Sequence, residues 1–350
     1  MANKKDPVPP PSVPLELWRD LYHAATRFQL LAPWQWMSDS HVFGVNNEHG
    51  TRMVSILGAL GEVFGMVTYR GSTGANFLLR LLTGQFAPED PDGIFCQDAL
   101  LANFVPLTRL DKPDRNVIQQ IGFKAAFSRP KLYPKFKSHK PGYVPWFIDE
   151  AEARLLLDDL NNAARFAELL RRKPDLYDSH EMPEFPFITA AGTGPLSAGQ
   201  LEWHAIFADP PPPDPAVNPQ EFDLAPLMKL PQVARAQWEL TAFYSDMRIG
   251  QPPRPFYPKI SMGVESSTGI VVGVRTCGTE HTMAQTAALG LLQSIQAAQC
   301  RPEVVKSDSP LLIQALQPIA AALGLRIAHA KSLPMAADAR RSLEAFGRQK

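Results

Sequence analysis

Cationic and aromatic side chains alternate along residues 115–147, a stretch without any acidic residue. Lysine and arginine can neutralise phosphates, and aromatic faces can stack on unpaired bases, so this composition is typical of a single-stranded nucleic-acid interface. The alternative is a packed, proline-containing loop whose aromatics belong to the core and whose lysines face water. The candidate nucleic-acid contacts are Lys124, Arg129, Lys131, Lys135, Lys137 and Lys140.

Two smaller groups combine residue types found at metal or nucleophile sites. His41, Glu48 and His49 include zinc-type ligands, but no further ligand follows at metal spacing. Cys277 and His281 pair a thiol with a base, although such a pair so close in sequence rarely faces one another. We interpret both groups as structural.

The composition is that of a globular protein without overall electrostatic attraction to nucleic acid or anionic lipid. Of 350 residues, 45% are hydrophobic and 20% are charged, and the formal net charge is zero. No apolar signal segment and no run of about 18 apolar residues occurs. Three widely spaced cysteines argue against a disulfide scaffold or a zinc module. These features predict a cytoplasmic protein that does not associate with membranes.

Proline content divides the chain into predicted domains. Sixteen of the 34 prolines fall between residues 174 and 258, and proline lacks the amide donor that helices and central strands need. We therefore predict a disordered proline-rich N-terminus, an α+β domain, a proline-rich connecting region and a second, α/β domain. Their boundaries are 1–14, 15–173, 174–236 and 237–350.

The first domain is predicted to contain helices and strands in separate groups. Apolar residues recur at helical spacing from Leu15, and Asp149 with Glu152 forms a capping box that opens a long helix. The predicted strands are 36–45, 53–57 and 63–69, and the predicted helices after the first are 71–82 and 149–173.

Four segments of the first domain resemble an uncharacterised bacterial family built from two domains of unknown function. These segments are 30–37, 43–45, 58–62 and 141–146. The resemblance extends over most of the chain and implies a two-domain protein. It supplies no activity.

The second domain is predicted to follow the order βββαβαβα. Gly269 suits a tight hairpin between the second and third strands, and Ser309 with Pro310 forms an N-cap and first-turn pair for a helix that Gly324 ends. The predicted strands are 238–245, 259–265, 270–276, 303–307 and 325–329, and the predicted helices are 282–298, 309–324 and 336–346.

This order of elements resembles the ribonuclease-H-like fold, and residues 259–334 resemble the core of retroviral integrases. Integrase-like enzymes use three carboxylates to hold two divalent cations about 4 Å apart at a phosphodiester. The resemblance implies Glu239, Asp308 and Glu344 as catalytic and metal-binding residues, the last two separated by 35 residues. Glutamate stands where that family has its first aspartate. The alternative is that Asp308 caps a helix and Glu344 is a solvated surface charge.

The leading hypothesis is a non-catalytic binding or interaction protein that needs no cofactor, with the partner open between nucleic acid and another protein. A second hypothesis is a metal-dependent nuclease or strand-transfer enzyme that uses Mg²⁺ or Mn²⁺. A third is nucleic-acid binding through the basic stretch alone. The fold assignment further predicts that 303–307 lies parallel to 238–245 in one mixed sheet.

Overall fold

The structure is a computed structural model that describes residues 13–85, 95–125, 131–189, 192, 194–207, 214–250 and 254–348. The chain divides into two compact units, the first formed by Met1–Pro141 with Pro145–Pro210 and the second by Gly142–Val144 with Pro211–Lys350. Residues 1–12 of the predicted proline-rich N-terminus lie outside the described residues. No helix in the described ranges is both long enough and apolar enough to cross a membrane.

The first unit is a seven-stranded mixed sheet with helices on both faces. The strand order is β5-β4-β3-β2-β1-β6-β7, and β1 pairs with β6 in parallel while the other neighbours are antiparallel. The strands are β1 Phe43–Asn47, β2 Gly50–Leu57, β3 Gly65–Arg70, β4 Ala99–Pro106, β5 Leu132–His139, β6 Glu184–Ile188 and β7 Leu201–Ala205. The helices are α1 Leu15–Leu31, α2 Gly71–Leu82, α3 Lys112–Ile121 and α4 Glu150–Arg172.

The strand alternation of the first sheet separates two hydrophobic clusters. Val54 and Ile56 of β2 pack into the larger cluster with α1 and α4, whereas Met53 faces the opposite side with Leu78 and Leu79 of α2. Because α2 is only 12 residues long, it covers part of the second face. An open cavity lies on the remaining part of this face.

The second unit is a five-stranded mixed sheet in the order β10-β9-β8-β11-β12. The strands are β8 Gln232–Tyr244, β9 Lys259–Glu265, β10 Val271–Cys277, β11 Arg301–Ser307 and β12 Arg326–His329. The helices are α5 Ala225–Met228, α6 Met283–Ala298, α7 Pro310–Ala322 and α8 Pro334–Arg348. Strands β8, β9 and β10 are antiparallel to one another, and β11 is parallel to both β8 and β12.

The predicted parallel pairing of 303–307 with 238–245 is confirmed, since Val305 lies opposite Trp238 and Lys306 opposite Glu239. The proline-rich region 174–236 contributes more than connecting segments. It contains β6 and β7, which extend the first sheet past the predicted boundary at residue 173. Strand β6 contains one proline, Pro186, which has no backbone N–H to donate to a neighbouring strand.

Candidate functional site

Glu239 lies in the middle of β8, with only 4% of the residue exposed. Its Oε2 accepts a hydrogen bond of 2.9 Å from the backbone N–H of Ala336 in the first turn of α8. The N-terminus of a helix carries unpaired N–H groups and a partial positive charge. The carboxylate on β8 therefore caps the first turn of α8. This hydrogen bond offsets the free-energy cost of burying the charged carboxylate.

Asp308 and Glu344 occupy different surroundings. Asp308 follows β11 and is exposed, while Ser309 caps α7 because its Oγ accepts a hydrogen bond from the N–H of Leu312. The alternative interpretation, that Asp308 caps this helix, is therefore wrong, because the cap is the next residue, Ser309. Glu344 accepts a 2.9 Å hydrogen bond from Arg340 on the same face of α8. Within the described residues no three His, Cys, Asp or Glu side chains come together as a group that could hold a metal ion.

The basic stretch contains regular structure, since residues 115–121 belong to α3 and residues 132–139 form β5. Lys137 of β5 is 8% exposed, and its Nζ lies 2.9 Å from Asp111 and 3.9 Å above the ring of Phe147. Lys135 approaches the same Asp111 at 3.3 Å. Hydrogen bonds from these two lysines lower the pKa of Asp111 even though partial burial acts to raise it. The cations stabilise the edge of the sheet.

The other cations of this stretch divide into paired and exposed residues. Lys140 lies 3.3 Å from Glu152, whose carboxylate also accepts hydrogen bonds from Arg70 and Ser138. Lys124 and Lys131 are exposed, and Arg129 lies outside the described residues. Three of the six predicted nucleic-acid contacts are therefore described and exposed, namely Lys124, Lys131 and Lys140, and of these Lys140 is paired with Glu152.

The aromatic side chains of the stretch belong to the core. Phe136 is buried and its ring centroid lies 5.3 Å from that of Tyr22 in an edge-to-face arrangement. Phe123 packs on the same tyrosine at 4.8 Å. The buried ring of Phe136 is therefore not accessible for stacking on a base, and Phe127 lies outside the described residues.

The two small polar clusters are structural, as interpreted. The Nδ1 atom of His41 accepts a hydrogen bond from the N–H of Ser38, and burial lowers the pKa of this imidazole. Cys277 is buried, whereas His281 is joined to Glu280 by a 2.8 Å contact at the surface. Neither cluster brings a nucleophile or a ligand set to one point.

A buried ionic network was not predicted. Arg52 of β2 donates from Nε to Asp159 at 2.9 Å and from Nη2 to Asp158 at 2.7 Å, both on α4. Burial raises the pKa of Asp159 to about 6 despite the neighbouring guanidinium. The sequence signal is Asp158-Asp159 on a helix whose other buried positions are apolar apart from Glu152 and Asn162.

An open cavity of about 380 Å³ lies on the first sheet beside α2. Its floor is apolar and consists of Leu57, Val67 and Leu101, one from each of three neighbouring strands. The rest of its wall comes from the β2–β3 hairpin and from polar residues of three other segments. Those lining residues are Gly58, Ala59, Leu60, Glu62, Val63, Asp39, Gln97 and His139.

The loops at the rim of this cavity are fixed by backbone contacts. Gly58 has a φ of +135°, and a Cβ there would lie 2.7 Å from the Cβ of Trp34, so only glycine fits. Gly61 closes the turn through its N–H to the Gly58 carbonyl. The carbonyl of Asp39 accepts a hydrogen bond from Ser55 Oγ at 3.1 Å. These contacts hold the backbone of the two loops that carry the exposed residues Asp39 and Glu62.

The fold defines a chain of two compact units, each built on a mixed α/β sheet. Residues 18–186 match the family described as Domain of unknown function (DUF7309). Residues 223–344 match the family described as Domain of unknown function (DUF6930). The predicted combination of two domains of unknown function is confirmed.

Among solved structures, the chain is similar to a viral enzyme domain, at low sequence identity. The catalytic core domain of BIV integrase, in crystal form I, aligns with 19% identity over 32% of this chain and 68% of that chain, with a TM-score of 0.25. No protein with a curated description matches this chain. The predicted resemblance to the integrase core is therefore found again, without an activity attached to it.

Proposed function

We propose that this chain is a non-catalytic, cytoplasmic bacterial binding protein whose second domain keeps a ribonuclease-H-like scaffold. One observation carries the proposal: the carboxylate of Glu239 is engaged by the N–H of Ala336 at the start of α8. A helix N-terminus offers a carboxylate a partial positive charge and a hydrogen-bond donor. The helix start therefore compensates the negative charge that a divalent cation would otherwise compensate.

The strand order supports the scaffold assignment. Three consecutive antiparallel strands are followed, through α6, by two strands parallel to the first of them, with α7 between those two strands. Helices α6 and α7 pack on one face with Trp238 and Leu240, whereas α8 packs on the other face near Phe243. Glu239 lies on the face of the sheet that α8 covers. In the integrase resemblance, the first catalytic carboxylate would lie on this same face.

A scaffold can keep the position of a catalytic acid and use it differently. In this chain Glu239 joins a strand to the helix that follows the last strand, Asp308 is exposed, and Glu344 pairs with Arg340. Each carboxylate has a local structural explanation. We infer that the second domain presents surfaces to a partner and does not cleave a phosphodiester.

Thermal unfolding of the full chain with and without Mg²⁺ or Mn²⁺ tests this proposal. A folded-state metal site would raise the melting temperature by preferential binding, and Asp308→Asn would abolish that rise. We expect no metal-dependent shift in either protein and no nicking of DNA or RNA with Mn²⁺. A shift lost in Asp308→Asn together with Mn²⁺-dependent nicking would establish the nuclease hypothesis instead.

The nucleic-acid hypothesis is tested by titrating single-stranded DNA at low salt. Since Lys135 and Lys137 are paired with Asp111, we expect no salt-sensitive binding that depends on them. Binding that weakens steeply with salt, and less steeply after replacement of Lys131, Lys135 and Lys137 by glutamine, would support that hypothesis through counterion release.

A further inference from the structure

The cavity beside α2 has an apolar floor that the fold leaves uncovered. Alternation along the strands places Leu57, Val67 and Leu101 on the face of the sheet that α2 shields elsewhere. The hairpin adds Val63 and Leu60, the latter 87% exposed. Apolar surface in a concave site gains free energy when a ligand removes it from water.

The charges at the rim of this cavity differ from those in the rest of the first unit. Arg52, Arg70, Lys137 and Lys140 each lie within ion-pair distance of a carboxylate. By contrast, Asp39 and Glu62 line the cavity without an ion-pair partner in the ranges that the structure describes. Their charge complements a cation.

The negative charge of Asp39 also acts on the sheet beneath it. Burial raises the pKa of Tyr69 to about 12, and the Asp39 carboxylate raises it further because a second negative charge nearby is unfavourable. The phenol therefore stays neutral. Burial lowers the pKa of His41 although the Asp39 carboxylate acts to raise it. His139, on the β5 side of the cavity, is the other titratable group of the lining.

We propose that this cavity binds a small organic ammonium compound, with its alkyl body on Leu57, Val67 and Leu101 and its charged end at Asp39 and Glu62. The inference rests on the proposed function only in that the chain is a binding protein. An alkyl anion would meet two like charges at the rim, and a neutral alcohol would gain the apolar contact alone. A bare divalent cation would leave the apolar floor exposed to water.

Calorimetric titration of the full chain with hexylammonium, hexan-1-ol and hexanoate tests the proposal directly. Measurements at about pH 8 keep the amine charged and an ordinary histidine neutral. We expect hexylammonium to bind at least about tenfold more tightly than the alcohol, since each tenfold step in affinity corresponds to one well-placed interaction. We expect hexanoate to bind most weakly. Methyl NMR signals of Leu57, Val67 and Leu101 should move on addition of the amine.

The double variant Asp39→Asn and Glu62→Gln should lower the hexylammonium affinity by about tenfold and leave the hexan-1-ol affinity unchanged. Glu48→Gln is the matched control, because Glu48 is an exposed carboxylate of the same unit that does not line the cavity. Equal binding of the three ligands by the unmodified chain, or methyl signals that stay in place, would overturn the proposal whatever the variants do. Neither result would alter the metal titration, which reports on the second unit.

Discussion

The two units attach a helix to a sheet by different means. In the first, Arg52 of β2 is held by Asp158 and Asp159 of α4 through a buried ionic network. In the second, Gly263 and Gly273 lie directly beneath Ser294 of α6, so that a Cβ at either glycine would lie 2.5 Å from the Ser294 hydroxyl. The contact of α4 with its sheet therefore relies on charge, and the contact of α6 with its sheet relies on the absence of side chains. In the first unit, a charged residue that pairs with another side chain is explained by its contribution to stability. Only a charged residue without such a pair is a candidate for function.

Removal of the buried guanidinium should have the largest effect. Arg52→Met leaves Asp159 fully buried without its counter-charge, and we expect the free energy of unfolding to fall by about 3–5 kcal/mol. Urea denaturation measures this. Arg154→Met is the control, because its pair with Glu150 is exposed and should contribute at most about 0.5 kcal/mol. Equal losses in the two variants would contradict a structural role for the network.

The close packing of the second unit should be next in sensitivity. In Gly273→Ala the new Cβ would lie 2.7 Å from the Cα of Ser294, so the helix backbone itself must move. We expect a loss of about 1–3 kcal/mol. Gly199→Ala should stay within about 0.5 kcal/mol, since nothing lies within 4 Å of that Cβ. A loss for Gly273→Ala no larger than this control would mean that α6 adjusts freely.

Substitution of two lysines in the basic stretch distinguishes a lysine that stabilises the fold from one that is solvated. Lys137→Met should cost about 1 kcal/mol, because Asp111 loses a hydrogen bond but is half-exposed and partly rehydrated. Lys131→Met should change the free energy of unfolding by less than about 0.5 kcal/mol, because Lys131 is exposed. If Lys131 proved the more important of the two in thermal unfolding, the interpretation of β5 would be wrong.

The smallest expected effect is on how the free energy of unfolding depends on pH in the acid range. Although burial acts to raise it, hydrogen bonds from Arg70 and Ser138 lower the pKa of Glu152 below its ordinary 4.5. The unfolded chain therefore takes up this proton first, and the stability that Glu152 contributes is present above pH 4.5 and is lost as pH falls through the folded-state pKa. Glu152→Gln should flatten the stability curve there, by at most about 1.4 kcal/mol per pH unit. Parallel curves for both proteins would contradict the assignment.

Local sequence signals predicted the elements that carry their own start and stop residues. The Asp149 and Glu152 capping box is present at the start of α4, and Thr282 caps α6. Gly269 adopts a φ of +72° at the predicted hairpin. Such signals are local because the hydrogen bonds that they form join residues three or four positions apart.

The pairing of charges could not be predicted in this way. Arg52 and Asp159 are 107 positions apart, and Lys137 and Asp111 are 26 apart. No periodicity links such residues, because the sheet order brings them together. Strands β6 and β7 were missed because their proline-rich surroundings contradict strand propensity and their pairing with β1 is long-range. The cavity likewise depends on Leu57, Val67 and Leu101 becoming neighbours.

The role of Glu239 is the central claim, and the unfolding of Glu239→Gln in urea with and without Mn²⁺ tests it most directly. Loss of the carboxylate charge at the buried start of α8 should lower the free energy of unfolding by about 1–2 kcal/mol, and Mn²⁺ should change neither protein. Glu221→Gln, an exposed carboxylate of the same unit, should have no effect. The opposite result would contradict the account: a metal-free Glu239→Gln protein more stable than the parent, combined with Mn²⁺ stabilising the parent alone.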